Sequence, residues 1–285
     1  MPEHLQLVEC PRDAMQGLSK QIPTADKIAY LKQLLQIGFH TLDFGSFVSP
    51  KAVPQMADTA EVVDTLDTSG TDTQLLAIVA NKRGAEMAVS YEKITYLGYP
   101  FSISETFQRR NTRKSIAESI PLVQEILGLC EKHRKELVLY LSMGFGNPYG
   151  ERWSPEIVEE WAQKMVGWGV RIISLADTVG NAKIEDIRLL FQRLLVAYPH
   201  IQWGAHFHAS PEERVPKLKA AWEGGCRRFD SALLGFGGCP FAEDKLVGNI
   251  ATESLLPFLA EQGESPRLDQ QALQKAISMA NDIFL

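Results

Sequence analysis

The chain has 285 residues, 45% hydrophobic and 22% charged, with a formal charge of −6; this is the composition of an ordinary globular protein with enough chain for one large core. No block of five or more Lys or Arg residues occurs, which argues against a nucleic-acid footprint, and no apolar run of 18 residues suits a membrane span. The first seven residues contain no apolar leader core, and Cys10, Cys130, Cys226 and Cys239 show no CxxC spacing, so the expectation is a cytoplasmic protein with free thiols and no zinc cage.

Strand-like and helix-like segments alternate along the whole chain. Residues 5–9 are short and apolar, and Pro11 stops them. Residues 24–38 predict a helix, with Thr24 as N-cap, Ile28, Leu31, Leu34 and Leu35 on one face, and Gly38 at the end. Strands follow at 41–46, 74–80 and 93–99, then a long helix at 112–132 and a fifth strand at 136–143. Ser154-Pro155 opens the next helix as N-cap and N1. A sixth strand at 171–177, a helix at 184–197, a seventh strand at 201–208, a helix opened by Pro211 and closed by Gly224-Gly225, and an eighth strand at 227–233 complete the alternation. Helices at 250–262 and 268–284 end the chain.

Eight strands with intervening helices predict parallel βαβ units. Leu75-Leu76-Ala77-Ile78-Val79 is too apolar for a half-wet sheet, so both faces are expected to be covered. The architecture read from this is α/β: a (β/α)8 TIM barrel as a single domain over residues 1–285, with an additional C-terminal helix. The runner-up, an open doubly wound sheet, is disfavoured because Pro11-Arg12-Asp13 stands where a glycine-rich phosphate turn belongs.

In such a barrel the chemistry collects at the C-terminal ends of the strands. Asp13 follows strand one, Asp43 ends strand two, Asp177 ends strand six, His206 and His208 end strand seven, and Cys239 and Asn249 follow strand eight. His206 and His208, two apart on a strand, share a face. With Asp13 and the Asn249 amide oxygen they compose a mixed N/O set that suits Mg²⁺, Mn²⁺, Zn²⁺, Fe²⁺ or Co²⁺; as a pair alone they are equally well read as ordinary polar residues at a strand end. Arg12 offers a cation for a developing enolate, or forms a simple loop ion pair with Asp13. Asp43 and Asp177 are candidate bases or orienting acceptors, and each also fits a helix N-cap. Cys239, in Gly237-Gly238-Cys239-Pro240, is a candidate proton donor on a loop, or a small residue packed beneath it. Arg109 and Arg110 either meet phosphates or are solvated. His40, between a helix and a strand, belongs at the opposite end and is read as structural.

Several motifs resemble those of the 3-hydroxy-3-methylglutaryl-CoA lyase family. They are Val8-Glu9-Cys10-Pro11-Arg12-Asp13-Ala14-Met15-Gln16, Phe47-Val48-Ser49-Pro50-Lys51-Ala52-Val53-Pro54-Gln55-Met56-Ala57-Asp58, Ser104-Glu105-Thr106-Phe107, Asp177-Thr178-Val179-Gly180, His206-Phe207-His208, Gly237-Gly238-Cys239-Pro240 and Gly248-Asn249-Ile250-Ala251-Thr252-Glu253, in order along nearly the whole chain. The resemblance implies a TIM barrel with Mg²⁺ or Mn²⁺ (Zn²⁺ being a further fit) held by Asp13, His206, His208 and Asn249. It also implies an enolate stabilised by Arg12, a proton transferred by Cys239, Asp43 near the metal, and Asp177 as a proton shuttle. The implied substrate is a small acyl-CoA cleaved to acetyl-CoA and a keto acid. The competing readings are an aldolase or Claisen-type synthase on the same scaffold and a non-catalytic acyl-binding barrel. A homodimer suits the class, although no sequence feature marks an interface. The chain departs from the family pattern at Cys10, at Ala14-Met15, at Asp43 in place of Glu, at Ala209 in place of Asp, at residues 16–20, and in the loop 241–247, which carries Glu243, Asp244 and Lys245.

Overall fold

A computed structural model describes residues 4–238 and 247–285. Eight parallel strands close on themselves in sequence order: β1 (Gln6–Glu9), β2 (Thr41–Phe47), β3 (Gln74–Val79), β4 (Ile94–Ser102), β5 (Glu136–Ser142), β6 (Ile172–Asp177), β7 (Gln202–Phe207) and β8 (Arg228–Ser231), the last pairing back onto β1. The outer layer and loops carry α1 (Pro11–Gln16), α2 (Thr24–Leu34), α3 (Thr59–Thr65), α4 (Lys82–Val89), α5 (Glu105–Thr112), α6 (Ile116–His133), α7 (Pro155–Gly167), α8 (Ile184–Ala197), α9 (Arg214–Glu223), α10 (Thr252–Glu261) and α11 (Gln270–Phe284). This is the TIM barrel expected, and the apolar strands are buried on both faces as their composition demands.

Parity decides which side chains face the barrel axis. Leu76 and Ile78 of β3, Tyr96 of β4, Val138 and Tyr140 of β5 and Ile172 of β6 pack together as an inner cluster, separate from the larger core between strands and helices. A bulge in β2 between Asp43 and Gly45 shifts its parity. Asp43 thus faces inward to Arg12, Gly45 faces outward against Thr59, and Ser46 faces inward to the cavity. A Cβ at Gly45 would come within 2.7 Å of Thr59, so the bulge needs its glycine.

Local details differ from the sequence reading for identifiable reasons. Pro11 both ends β1 and opens α1 at its first position, where its missing N–H is harmless. The helix expected at 112–132 is two helices. Arg113 sits in the left-handed region (φ 60°) and ends α5, and Ser115 then opens α6 with a capping box to Glu118. The α2 helix is capped at Pro23 rather than Thr24 and stops at Leu34. β8 is short, and residues 233–235 form a 3₁₀ turn with Leu234 at φ 63°. Pro211 lies in a turn before α9, not at its first residue. His40 is at the N-terminal end of the barrel beside Thr41, and burial, with the charge of Arg228, lowers its pKa to about 4.

Glu9 points out of the barrel into the helix layer. It is fully buried and accepts hydrogen bonds from the Leu233 N–H and the Thr252 hydroxyl. Burial outweighs both bonds and pushes its pKa from 4.5 up to about 8. The unfolded chain releases this proton near pH 4.5, whereas the folded chain holds it to about 8. Stability is therefore undiminished below the lower value and falls as the pH climbs between the two. Glu9→Gln keeps the shape and cannot ionise. Its urea midpoint, relative to that of the parent, is expected to rise across this window; a difference that stays flat with pH would contradict the assignment.

Candidate metal centre and its cavity

The C-terminal mouth of the barrel opens into a cavity of about 1280 Å³, measured out to solvent. Arg12, Asp13, Ser46, Tyr140, Ser142, Ala176, Thr178, His206 and His208 are among its lining residues. Four separate stretches of chain bring the polar groups together at this end of the barrel. The α1 turn carries Arg12 and Asp13, β2 carries Asp43, and the end of β7 carries both histidines. The segment after residue 246 returns Asn249 alongside His208 in an antiparallel bridge, continued by the Ala209 N–H donating to the Gly248 carbonyl.

Asp13 is the hub. Its Oδ1 accepts from Arg12 Nη1 at 2.9 Å and from Gln16 Nε2 at 2.7 Å, and its Oδ2 accepts from Asn249 Nδ2 at 2.6 Å. Burial opposes ionisation, but Arg12, the two histidines and the Asn249 bond outweigh it and hold the carboxyl below the usual range. Asn249 also donates through Nδ2 to the Phe236 carbonyl at 2.8 Å. With acceptors on both sides of that nitrogen, the amide orientation is fixed and Oδ1 is the atom left for a cation. Gly237 (φ 115°) passes close by. A Cβ there would lie 2.3 Å from Asn249 Nδ2 and 3.0 Å from Asp13 Oδ2, so both the conformation and the close approach require glycine.

Asp13, His206 and His208 offer ligand atoms that all lie within 4.8 Å of one another. The His206 Nδ1 bonds Asp230 Oδ2 at 3.1 Å, which orients the ring and leaves Nε2 with the lone pair. Burial lowers the His206 pKa, and Asp230 and Asp13 together more than reverse this. His208 is 1% exposed, its Nδ1 has no hydrogen-bond partner, and burial takes its pKa down to about 4, so it is a neutral donor at physiological pH. A neutral imidazole beside an ionised carboxylate fits a divalent cation.

Arg12 is pinned from behind. Its Nε donates to Asp43 Oδ2 at 3.0 Å, and Nη2 to the same oxygen. Burial lowers the Arg12 pKa, but Asp43 and Asp13 together raise it above the normal arginine value. Asp43, wholly buried, is raised to about 6 by burial despite Arg12. It does not line the cavity; it holds the guanidinium from below, in the manner of an orienting acceptor.

Asp177 stands elsewhere. Ala176 faces the cavity, so Asp177, the next residue of β6, faces the helix layer. Its Oδ1 accepts from the Asn181 N–H, and its Oδ2 accepts from the Ala182 N–H and from Lys217 Nζ at 2.8 Å. A shuttle would need a free oxygen toward the substrate, and both oxygens are engaged behind the wall; this corrects the placement expected for Asp177. Nor is it the N-cap of α8, whose cap is Lys183. Asp177→Asn strands the fully buried Lys217 ammonium, and a loss of about 3–5 kcal/mol of stability is expected. Turnover per folded molecule should stay within a few-fold. A variant of unchanged stability with abolished turnover would restore the shuttle reading.

Other placements are plain. Arg109 pairs with Glu105 at 2.8 Å and Arg110 lies over the Tyr149 ring, so neither lines the cavity. Cys10, Cys130 and Cys226 are buried thiols, in keeping with packed core residues, and Cys239 lies outside the described residues. Cys10 also approaches His206 and Asp230 on the inner side of the site. Asp230, Tyr140, Thr178 and Gln16 were not singled out from sequence. The available signal for Asp230 was parity: two residues after the inward Arg228, it must face the axis of β8.

Comparison with known proteins supplies an independent line. A family model described as HMGL-like matches residues 5–280. The hydroxymethylglutaryl-CoA lyase of Bacillus subtilis is 32% identical over 255 residues, spanning 88% of this chain and 83% of that protein. The (R)-citramalyl-CoA lyase of Chloroflexus aurantiacus is 31% identical over 274 residues, spanning 92% and 85% respectively. Among solved structures, an HMG-CoA lyase from Acinetobacter baumannii in complex with coenzyme A and 3-methylmalate matches with a TM-score of 0.91 at 31% identity, over 99% of this chain and 91% of that one.

Proposed function

This chain belongs to the HMGL-like family, and from that membership we propose that it is a divalent-metal-dependent carbon–carbon lyase. Its proposed substrate is 3-hydroxy-3-methylglutaryl-CoA or a closely related hydroxyacyl-CoA, cleaved to acetyl-CoA and a keto acid. The observation that carries the reading is the meeting of Asp13, His206, His208 and Asn249 at the cavity floor with Arg12 beside them. An aldolase or synthase of the same scaffold needs the same cation site, so the choice of lyase rests on the relatives rather than on the ligand set.

The reaction breaks the bond between the hydroxyl-bearing carbon and the carbon next to the thioester. The hydroxyl loses its proton and becomes a ketone, and the electron pair of the broken bond becomes a thioester enolate, which takes a proton on carbon. When bound, a divalent cation supplies Lewis acidity toward the substrate oxygens; the mixed imidazole, carboxylate and amide donors suit Mg²⁺ or Mn²⁺, with Zn²⁺ also accommodated. Arg12, kept charged and immobile by Asp43, is preorganised to stabilise the enolate oxygen. Asp230 fixes the His206 ring, Asn249 and Gln16 fix the Asp13 carboxylate, and Cys239 is the proposed proton donor to the enolate carbon. The aliphatic side chains of Val48, Val53 and Ile78 and the Phe107 ring give the cavity an apolar wall.

We place the protein in the cytoplasm, in keeping with the buried free thiols; no helix among the described residues is long and apolar enough to cross a membrane. A homodimer is the proposed assembly on grounds of fold class alone. The test is turnover with Mg²⁺ or Mn²⁺ against a panel of hydroxyacyl-CoA thioesters and the matching free hydroxy acids, read as acetyl-CoA release. Cleavage of a thioester with no activity on free acids supports the lyase reading. Activity confined to free acids favours the aldolase, and metal binding without any cleavage favours a binding protein.

A further inference from the structure

The charged lining of the cavity is one-sided. Among the described residues that line it, the cations are Arg12, Arg113 and Lys114, and the sole carboxylate is Asp13, in a chain whose overall charge is −6. Arg12 is committed to Asp43 and Asp13. Arg113 and Lys114 belong to a different part of the cavity. They open the three-residue corner between α5 and α6, where the left-handed turn at Arg113 ends one helix before Ser115 caps the next. Arg113 is exposed and Lys114 half-buried, which puts them toward solvent, whereas the histidines lie on the floor.

The neighbouring arginines are engaged by other side chains. Arg109 is tied to Glu105, and Arg110 lies on Tyr149. Glu118 feels the charge of Lys114, but its carboxylate is held by the Ser115 N–H and hydroxyl at 2.7 Å each. Glu105 likewise accepts from the Ile116 N–H and pairs with Arg109. Arg113 and Lys114 make no ion pair among the described residues. Two uncompensated cations at the rim of a cavity whose floor binds the reacting end match a substrate that is anionic at its far end as well. A guanidinium fork beside a compact ammonium is a donor set suited to phosphate oxygens.

We propose that Arg113 and Lys114 form an anion subsite at the cavity rim that grips the phosphates of the nucleotide portion of a CoA thioester, and so select CoA esters over simpler thioesters. The inference rests on the reading of the substrate as a CoA ester and adds which residues of this chain recognise the carrier. The pair positions substrate and takes no part in bond breaking. Charge at the rim acts on ground-state binding and transition-state binding alike, so it sets KM and leaves kcat alone.

The experiment compares the parent with Arg113→Gln/Lys114→Gln, both substitutions being at a solvent-facing corner. Steady-state turnover is measured with the hydroxyacyl-CoA and with the same acyl group on pantetheine, which lacks the nucleotide. Calorimetry with free CoA and with adenosine 3′,5′-bisphosphate, without metal, reads binding independently of cleavage. The expected result is a KM for the CoA ester raised by about tenfold or more with kcat within twofold, no change for the pantetheine ester, and a matching loss of affinity for the bisphosphate. Raised KM for both esters would overturn the inference by assigning the pair to a substrate carboxylate. Unchanged affinity for CoA and the bisphosphate, or no binding of either to the parent, would also overturn it. Bisphosphate binding that the double variant loses, with no cleavage of any ester by the parent, would uphold the subsite and sink the proposed reaction instead.

Discussion

His208→Ala is expected to abolish metal-supported turnover. His208 is buried at the end of β7, its Nδ1 has no partner within the protein, and its ring is neutral because burial lowers its pKa to about 4. Its ring stands with Asp13 and His206 in a set whose ligand atoms lie within 4.8 Å of one another, close enough to share one cation. Loss of a residue that merely orients a ligand weakens metal sites by about 10–100-fold, and loss of a ligand should exceed that. The reading is Mn²⁺ affinity and turnover measured together on folded variant. Both should fall by more than about 100-fold. Parent-like Mn²⁺ affinity would exclude His208 as a ligand.

Removing Arg12 should produce the other large effect, and its structural and chemical parts can be separated. Arg12→Gln leaves Asp43 buried with no countercharge, a change that destabilises by about 3–5 kcal/mol when the charge persists. The Asp43 carboxyl is already raised to about 6 with Arg12 present, so in the variant it takes up a proton more readily, and the penalty grows from acid toward alkaline pH. Arg12→Gln/Asp43→Asn removes both charges and should recover most of the stability. It should not recover turnover. A preorganised donor to a developing oxyanion is worth about 10²–10³ in kcat, and glutamine restores neither charge nor geometry. Metal affinity should change far less than kcat, because Arg12 acts on Asp13 through one of three hydrogen bonds. Recovery of turnover in the double variant would show that the arginine serves folding alone.

The barrel was legible because its strands are buried on both faces, and such runs read as continuous apolar stretches whatever their partners. The candidate ligands were legible for a related reason: strand ends are recognisable, and the fold class dictates which end matters. What escaped was governed by single residues of parity or conformation. Asp177 and Ala176 are adjacent at the end of β6, and one step along a strand exchanges cavity for helix layer. The bulge between Asp43 and Gly45 shifts parity in β2 without any change in hydrophobic pattern. The break between α5 and α6 depends on a left-handed arginine, a conformation that residue type does not announce. That break also explains why the basic pair reaching the cavity is Arg113-Lys114 and not the equally prominent Arg109-Arg110. Parity alone marks Asp230 in the sequence, since its role depends on a partner from the neighbouring strand, 24 residues away.

Whether one cation draws Asp13, His206, His208 and Asn249 together is answered most directly by a crystal structure of the Mn²⁺-soaked protein with anomalous scattering recorded at the manganese edge. A single strong peak at the cavity floor, within coordination distance of the Asp13 carboxylate, both imidazoles and the Asn249 amide oxygen, is the result expected. An empty floor at saturating Mn²⁺, or a peak coordinated by other residues, would contradict the account.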